Sequence, residues 1–248
     1  MNEWTNGAVA RKPEADQQRR RILVVDDEPT IRQVVGQYLE LEGYQVMQAE
    51  DGLQALRMAE ASPPDLVILD LLLPGIDGLE VCRRLRAVSP VPILMLTALS
   101  EETDQLAGFD VGTDDYITKP FRPRELVMRV KAMMRRIEAM SAPAMLLDDA
   151  LLFGDGIVVR PRMRQAERQG EPLNLTPTEF DLLHFLVTHP KQAFTRDQLL
   201  ANVWHYDYYG DPGTVAVHMR RLREKVERDP SRPIHLRTVR GVGYRFVP

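Results

Sequence analysis

The chain contains a single cysteine, Cys82, among 248 residues, and one cysteine excludes an internal disulfide. Its surroundings, Leu79-Glu80-Val81-Cys82-Arg83-Arg84-Leu85, follow a helical pattern in which it reads as a small buried hydrophobe. No apolar stretch approaches the roughly eighteen residues a membrane helix needs, so no membrane partner is expected. Met1 to Arg21 lacks the apolar core of a secretory leader. The expected compartment is a reducing cytoplasm. There is no internal repeat.

Charge is unevenly spread. Residues 1–145 carry 17 Lys+Arg against 23 Asp+Glu, whereas residues 146–248 carry 15 against 13. Within 214–245 nine basic residues face three acidic ones. A basic concentration at one end of an acidic chain suggests a local polyanion-binding face, although a charge run alone is more often solvated surface.

Residues 1–20 read as a disordered extension, poor in apolar positions. From 21 to 137, apolar strands alternate with amphipathic helices, the pattern of a doubly wound α/β sheet. Helices are predicted at about 30–42, 52–61, 78–88, 101–109 and 123–137. The stretch 138–144 breaks the pattern and reads as a linker. In 145–248, short alternating segments up to Leu173 predict a small antiparallel sheet. Capping boxes at Thr176-Pro-Thr-Glu179 and Thr195-Arg-Asp-Gln198 then open two helices. A third is predicted from about Thr214 to Arg228, and a Gly-hinged hairpin ends the chain.

Three carboxylates, a hydroxyl and an ammonium stand at the C-terminal ends of the apolar runs: Asp26-Asp27 after Ile22–Val25, Asp70 after Leu66–Leu69, Thr97 after Ile93–Leu96, and Lys119 after Asp115–Thr118. Parallel strands bring these ends to one edge of the sheet, where open α/β folds place their sites. Phosphoryl transfer needs a nucleophile, a hard cation held by carboxylates, and donors for the phosphoryl oxygens. Asp70 suits the nucleophile, Asp26 and Asp27 the acidic pair, and Thr97 and Lys119 the donors. An Asp-Asp pair after a strand is alone no more than a turn or cap; the joint occurrence, in this order, points to a phosphoryl pocket.

At these residues the chain resembles the receiver domain of two-component response regulators. The matching stretches are Val24-Val-Asp-Asp-Glu-Pro29, Leu69-Asp-Leu-Leu-Leu-Pro-Gly-Ile-Asp-Gly78, Leu96-Thr-Ala98 and Asp114-Asp-Tyr-Ile-Thr-Lys-Pro-Phe121. The resemblance implies a (βα)5, CheY/flavodoxin-like receiver over 21–137 whose Asp70 accepts phosphate from a sensor histidine kinase. It implies Mg²⁺ held by Asp26, Asp27, Asp70 and the Leu72 carbonyl, and phosphoryl binding by Thr97, Ala98 and Lys119. Thr97 and Tyr116 would form a switch pair, and the Lys119-Pro120 peptide would be cis. The residues two beyond Asp70 and Thr97, Leu72 and Leu99, flank the phosphoryl group in receivers. Neither can orient a hydrolytic water, so a phosphoaspartate lasting minutes or longer is expected.

Residues 145–248 resemble the winged helix-turn-helix effector of the OmpR/PhoB subfamily, an α+β domain. On the third helix, Val215, Met219, Leu222 and Val226 share one face and read as core. Thr214, Val217, His218, Arg221, Lys225 and Arg228 share the opposite one. Base reading is expected from Arg221, supported by Arg220, Arg223 and Val217, because the guanidinium fork bonds bidentately and a valine methyl can meet a thymine methyl. The resemblance places Arg240 in the minor groove and Trp204, Thr214, His218, Thr238 and Tyr244 on phosphates. It implies tandem direct-repeat sites on double-stranded DNA, RNA polymerase contact through the 206–209 loop, and a phosphorylation-dependent homodimer. The dimer face would comprise Leu106, Phe109 and Met128 ringed by charges, with Asp115–Arg129 and Asp114–Arg136 pairs and Glu125 facing Gln105. Where the family has an Arg and an Asp entering the third helix, this chain has Gly213 and Ala216, which predicts a smaller salt dependence of DNA binding.

Two other readings remain at this stage. A haloacid-dehalogenase-like phosphatase, which also uses a strand-end Asp, would want a second carboxylate at position 72, where leucine stands. A phosphorylation-independent DNA-binding regulator would share the fold but carry a degenerate receiver.

Overall fold

The computed structural model describes residues 19–97, 112–141, 150–205 and 212–248. In the first unit, β1 (Arg21–Val25), β2 (Gln45–Ala49), β3 (Leu66–Asp70), β4 (Ile93–Thr97) and β5 (Asp115–Thr118) form one parallel sheet in the order β2-β1-β3-β4-β5. Every residue of β3 and β4 is buried. That is why these strands read as unbroken apolar runs rather than alternating ones.

Successive side chains point to opposite faces. Leu23, Val25, Val67 and Leu69 pack on α2 (Gly52–Ala61) and α3 (Gly78–Val88). Ile22, Val24, Ile68 and Leu96 pack on α1 (Pro29–Leu41) and α4 (Pro123–Ser141). Each buried aliphatic side chain contributes about 1.5–3 kcal/mol, and a one-residue slip would interchange the two faces, so the register is firmly set. Asp51 and Asp77 cap α2 and α3 by accepting backbone N–H bonds from Gln54 and Glu80. Cys82 is fully buried, and burial pushes its thiol up to about 11.

The helix expected over 101–109 lies outside the described residues. α4 runs on to Ser141 instead of ending near Ile137. Glu138 to Met140 are compatible with a helix, and Pro143 disfavours helical backbone at the residue before it. The front of the expected linker is therefore helical.

The second unit opens with an antiparallel sheet, β6 (Leu151–Phe153), β7 (Ile157–Arg160), β8 (Gln165–Arg168) and β9 (Glu171–Pro172). α5 (Pro177–Thr188) begins with the expected capping box, Thr176 and Glu179 bonding each other's backbone N–H. α6 (Arg196–Leu199) begins with the second box and continues as a π-helical turn over Leu200–Trp204. α7 (Pro212–Val226) starts at Pro212 rather than Thr214, because proline is at home in a first helical turn. Val215, Met219, Leu222 and Val226 are all in the core.

The terminal hairpin, β11 (Leu236–Val239) and β12 (Gly243–Phe246), gains a third strand that the sequence did not announce, β10 (Ala193–Thr195), paired to β12. A Cβ at Gly243 would overlap the Phe194 carbonyl, so only glycine lets β10 approach. Glu227, buried just past α7, accepts backbone N–H bonds from Ile234, His235 and Leu236 and anchors the hairpin to the helix.

Candidate functional site

The ends of β1, β3, β4 and β5 meet as their order requires. Lys119 Nζ lies 2.8 Å from Asp26 Oδ2 and 3.0 Å from Asp70 Oδ2. Ligand atoms of Asp26, Asp27 and Asp70 all fall within 4.8 Å of one another. Asp26 and Asp70 are buried and Asp27 is exposed, so the cluster opens to solvent on one side.

Gly78 supports the floor. Its N–H donates to the Leu71 carbonyl at 2.9 Å, and a Cβ there would overlap the carbonyl oxygen of Asp70. Burial raises the Asp70 pKa, and the Lys119 hydrogen bond and charge offset this only in part. Burial also works against the Lys119 charge, but hydrogen bonds to Asp26 and Asp70 outweigh it and hold the ammonium above its ordinary pKa.

Thr97 is buried at the end of β4, and its carbonyl accepts the Lys119 N–H at 2.6 Å. The Lys119-Pro120 peptide is cis. Tyr116 is buried in the α2/α3-side core, while Leu72 is exposed at the mouth. Ala98 and Leu99 lie outside the described residues. Three hard carboxylate oxygens with no nitrogen or sulfur donor suit Mg²⁺.

On the β5–α4 side, Arg129 joins Asp115 at 3.0 Å and Glu125 at 3.0 Å within one chain. Glu125 thus has a basic partner one turn away; Gln105, Leu106, Phe109 and the Arg136 side chain lie outside the described residues. Met128 is exposed. Asp114, expected to face Arg136, is instead buried, accepting bonds from Arg86 Nη2 at 2.5 Å and the Ile93 N–H at 2.9 Å. Sequence spacing could not reveal this, because Arg86 reads as an exposed residue of a helix 28 positions away.

The α7 residues expected to read DNA divide. Arg220 is exposed and pairs with Glu224. Arg223 turns to the hairpin, donating to the Leu236 carbonyl and the Thr238 hydroxyl, 5.7 Å from the Tyr244 ring centroid. Thr214, Val217, His218 and Arg221 are buried, together with Trp204 of α6. The first unit meets three of them: Arg221 Nη1 donates to the Thr113 carbonyl at 3.2 Å, Trp204 Nε1 donates to the Asp114 carbonyl at 3.4 Å, and Val217 packs in the cluster that contains Tyr116. Arg240 is exposed in the turn between the hairpin strands.

Both units match known families. Residues 22–131 match the response regulator receiver domain, and residues 170–246 match the family described as transcriptional regulatory protein, C terminal. The DNA-binding response regulator MtrA of Mycolicibacterium smegmatis is 48% identical over 233 residues, covering 94% of this chain and 99% of its own. The alkaline phosphatase synthesis transcriptional regulatory protein PhoP of Bacillus subtilis is 45% identical over 232 residues, covering 92% and 96%.

The chain is a response regulator of the OmpR/PhoB family.

Among solved structures, a RitR mutant superposes with a TM-score of 0.71 at 28% identity, over 92% of this chain and 98% of that one. DrrB of Thermotoga maritima, an OmpR/PhoB homologue, gives 0.50 at 31% identity, over 93% and 100%. A receiver joined to a DNA-binding domain is the composition of a two-component transcription regulator, and the phosphatase reading drops out. Among the described residues, no helix is long and apolar enough to cross a membrane.

Proposed function

We propose that Asp70 takes a phosphoryl group from a phosphohistidine of a sensor histidine kinase and that the phosphorylated regulator binds promoter DNA more tightly. The observation that carries this reading is the Lys119 ammonium held between Asp26 and Asp70 at the carboxyl edge of the sheet. In the transfer, an Asp70 carboxylate oxygen attacks phosphorus. The P–N bond breaks, its electron pair returns to the imidazole nitrogen, and the new bond is Asp70 O–P.

Lys119, already in contact with that carboxylate, keeps hold as charge moves onto the phosphoryl oxygens. Thr97 and the backbone at Ala98 supply further donors. Asp26, Asp27, Asp70 and the Leu72 carbonyl would hold Mg²⁺, which neutralises and orients the phosphoryl oxygens. With no polar side chain at Leu72 to position water, autodephosphorylation is slow.

Thr97 and Tyr116 relay the change, and a homodimer forms through the face carrying Asp115, Glu125, Met128 and Arg129, with Leu106, Phe109 and Arg136 contributing. Arg220, Arg221 and Val217 read the major groove of direct-repeat sites and Arg240 the minor groove. Trp204, Thr214, His218, Thr238 and Tyr244 contact phosphates, and Arg223 acts from its seat against β11. RNA polymerase contact falls to the 206–209 loop. Gly213 in place of arginine lowers the salt dependence of binding.

Acetyl phosphate with Mg²⁺ tests the chemistry. The intact mass of the wild type should rise by one phosphoryl group while Asp70→Asn stays unchanged. Equal labelling of both proteins overturns the assignment of Asp70.

A further inference from the structure

We infer that Arg32, in the first turn of α1, is a positioning residue for the cation: it holds the backbone of Asp26 and Asp27 so that their carboxylates are set for Mg²⁺. This inference rests on the reading of Asp26 and Asp27 as magnesium ligands.

The turn that carries the acidic pair has no side-chain cap to fix it. α1 begins at Pro29, which has no N–H, and its N-cap residue Glu28 makes no side-chain hydrogen bond to the helix. α2 and α3, by contrast, are capped by Asp51 and Asp77. At α1 an arginine reaches back across the first turn. Arg32 Nη1 donates to the Asp26 carbonyl at 2.5 Å and to the Asp27 carbonyl at 2.9 Å. One nitrogen thus ties together the two residues that bear the carboxylates. The arginine is itself held, because its N–H donates to the Glu28 carbonyl at 3.2 Å and Val35, Gly36 and Leu39 bury the helix against the sheet.

The two carboxylates differ in what else restrains them. Asp26 is buried and both its oxygens have partners: Oδ1 accepts the Glu28 N–H at 2.9 Å and Oδ2 accepts from Lys119 at 2.8 Å. Asp27 is exposed, and among the described residues no hydrogen bond holds its carboxylate. Where that carboxylate lies is set by its backbone, and the backbone is tied by Arg32. A cation that takes Asp27 therefore depends on the arginine for a ligand already in place.

Charge alone predicts the opposite effect. A guanidinium beside a cation site repels the cation and weakens its binding. Arg32, half-buried, aims at neutral carbonyls, and among the described residues it forms no ion pair with a carboxylate. Removing it takes away a restraint and a repulsion together, so the direction in which Mg²⁺ affinity moves tells which one dominates. Outer partners of metal ligands typically carry about 10- to 100-fold of metal affinity, which puts the restraint first.

The test is calorimetric titration of Mg²⁺ into the full chain without a phosphoryl donor, for wild type, Arg32→Met, Arg32→Gln and Asp27→Asn. Arg32→Met should weaken Mg²⁺ binding about tenfold. Arg32→Gln, which keeps an N–H donor but no charge, should lose less. In phosphorylation by acetyl phosphate, the half-saturating Mg²⁺ concentration of Arg32→Met should rise by the same factor, while the rate at saturating Mg²⁺ returns to the wild-type value. Unchanged or tighter Mg²⁺ binding by Arg32→Met overturns the inference while Asp27→Asn still loses the metal. If Asp27→Asn binds Mg²⁺ as the wild type does, the reading of Asp27 as a ligand falls, and the inference built on it falls with it. If Arg32→Met fails to fold, Arg32→Gln carries the titration: weaker binding upholds the inference, and unchanged or tighter binding overturns it.

Discussion

Lys119 Nζ lies 3.0 Å from Asp70 Oδ2, so the receiver's one pocket ammonium among the described residues rests on its candidate nucleophile before any phosphate arrives. The contact lowers the Asp70 pKa that burial raises. Lys119→Met removes the lowering influence and leaves the burial. Only the carboxylate attacks phosphorus, so the acid limb of the rate of phosphorylation by acetyl phosphate should move to higher pH. The rate at neutral pH should also fall by about 100-fold, the scale of removing an electrostatic donor from a transition state. A pH–rate profile that keeps its wild-type midpoint contradicts this.

Asp70 itself costs stability. Its folded pKa is raised above the unfolded value, so the native state binds the proton more tightly. Stability is then lost as pH rises through the folded pKa. Asp70→Asn should therefore raise the thermal midpoint at neutral pH. The difference should vanish as pH falls toward the ordinary carboxylate range, about pH 4. Melting curves of both proteins across that range provide the check.

Leu72 stands exposed at the mouth of the pocket. A leucine there offers no hydrogen bond to an attacking water, so the phosphoaspartate should decay over minutes or longer. Leu72→Asn should shorten its lifetime. Decay in seconds in the wild type, followed by loss of radiolabel, would refute the role given to this position.

Glu227 sits under the hairpin with three backbone N–H groups directed at its carboxylate. Glu227→Ala leaves those buried donors unpaired. It should destabilise the effector domain by about 2–4 kcal/mol, lowering its melting midpoint on the order of 10 °C. A shift of a degree or less in calorimetry would show that the hairpin does not depend on this anchor.

The candidate site was legible because its residues follow buried parallel strands, whose apolar runs declare both the strand and the edge at which it ends. Asp26, Asp70 and Lys119 could be brought together from strand ends alone. The core of α7 was legible for a related reason, since Val215, Met219, Leu222 and Val226 repeat with helical spacing.

The contact between the two units was not legible. Val217 and Arg221 look the same in sequence whether they meet a thymine methyl and a guanine or Tyr116's cluster and the Thr113 carbonyl. Asp114 bonds Arg86 across 28 residues and Thr178 across 64, pairings that no local pattern encodes. β10 escaped because three residues beside a capping box carry no strand period. Glu227 left one usable trace: an acid at the C-terminal end of a helix, where the helix dipole disfavours it.

The central claim, that Asp70 is the switch for DNA binding, is tested most directly by duplex binding of the full chain with and without beryllofluoride, in the wild type and in Asp70→Asn. Tighter binding on treatment of the wild type, with Asp70→Asn unmoved, is the predicted result. Equal affinity of treated and untreated wild type, or an equal gain in Asp70→Asn, would contradict it.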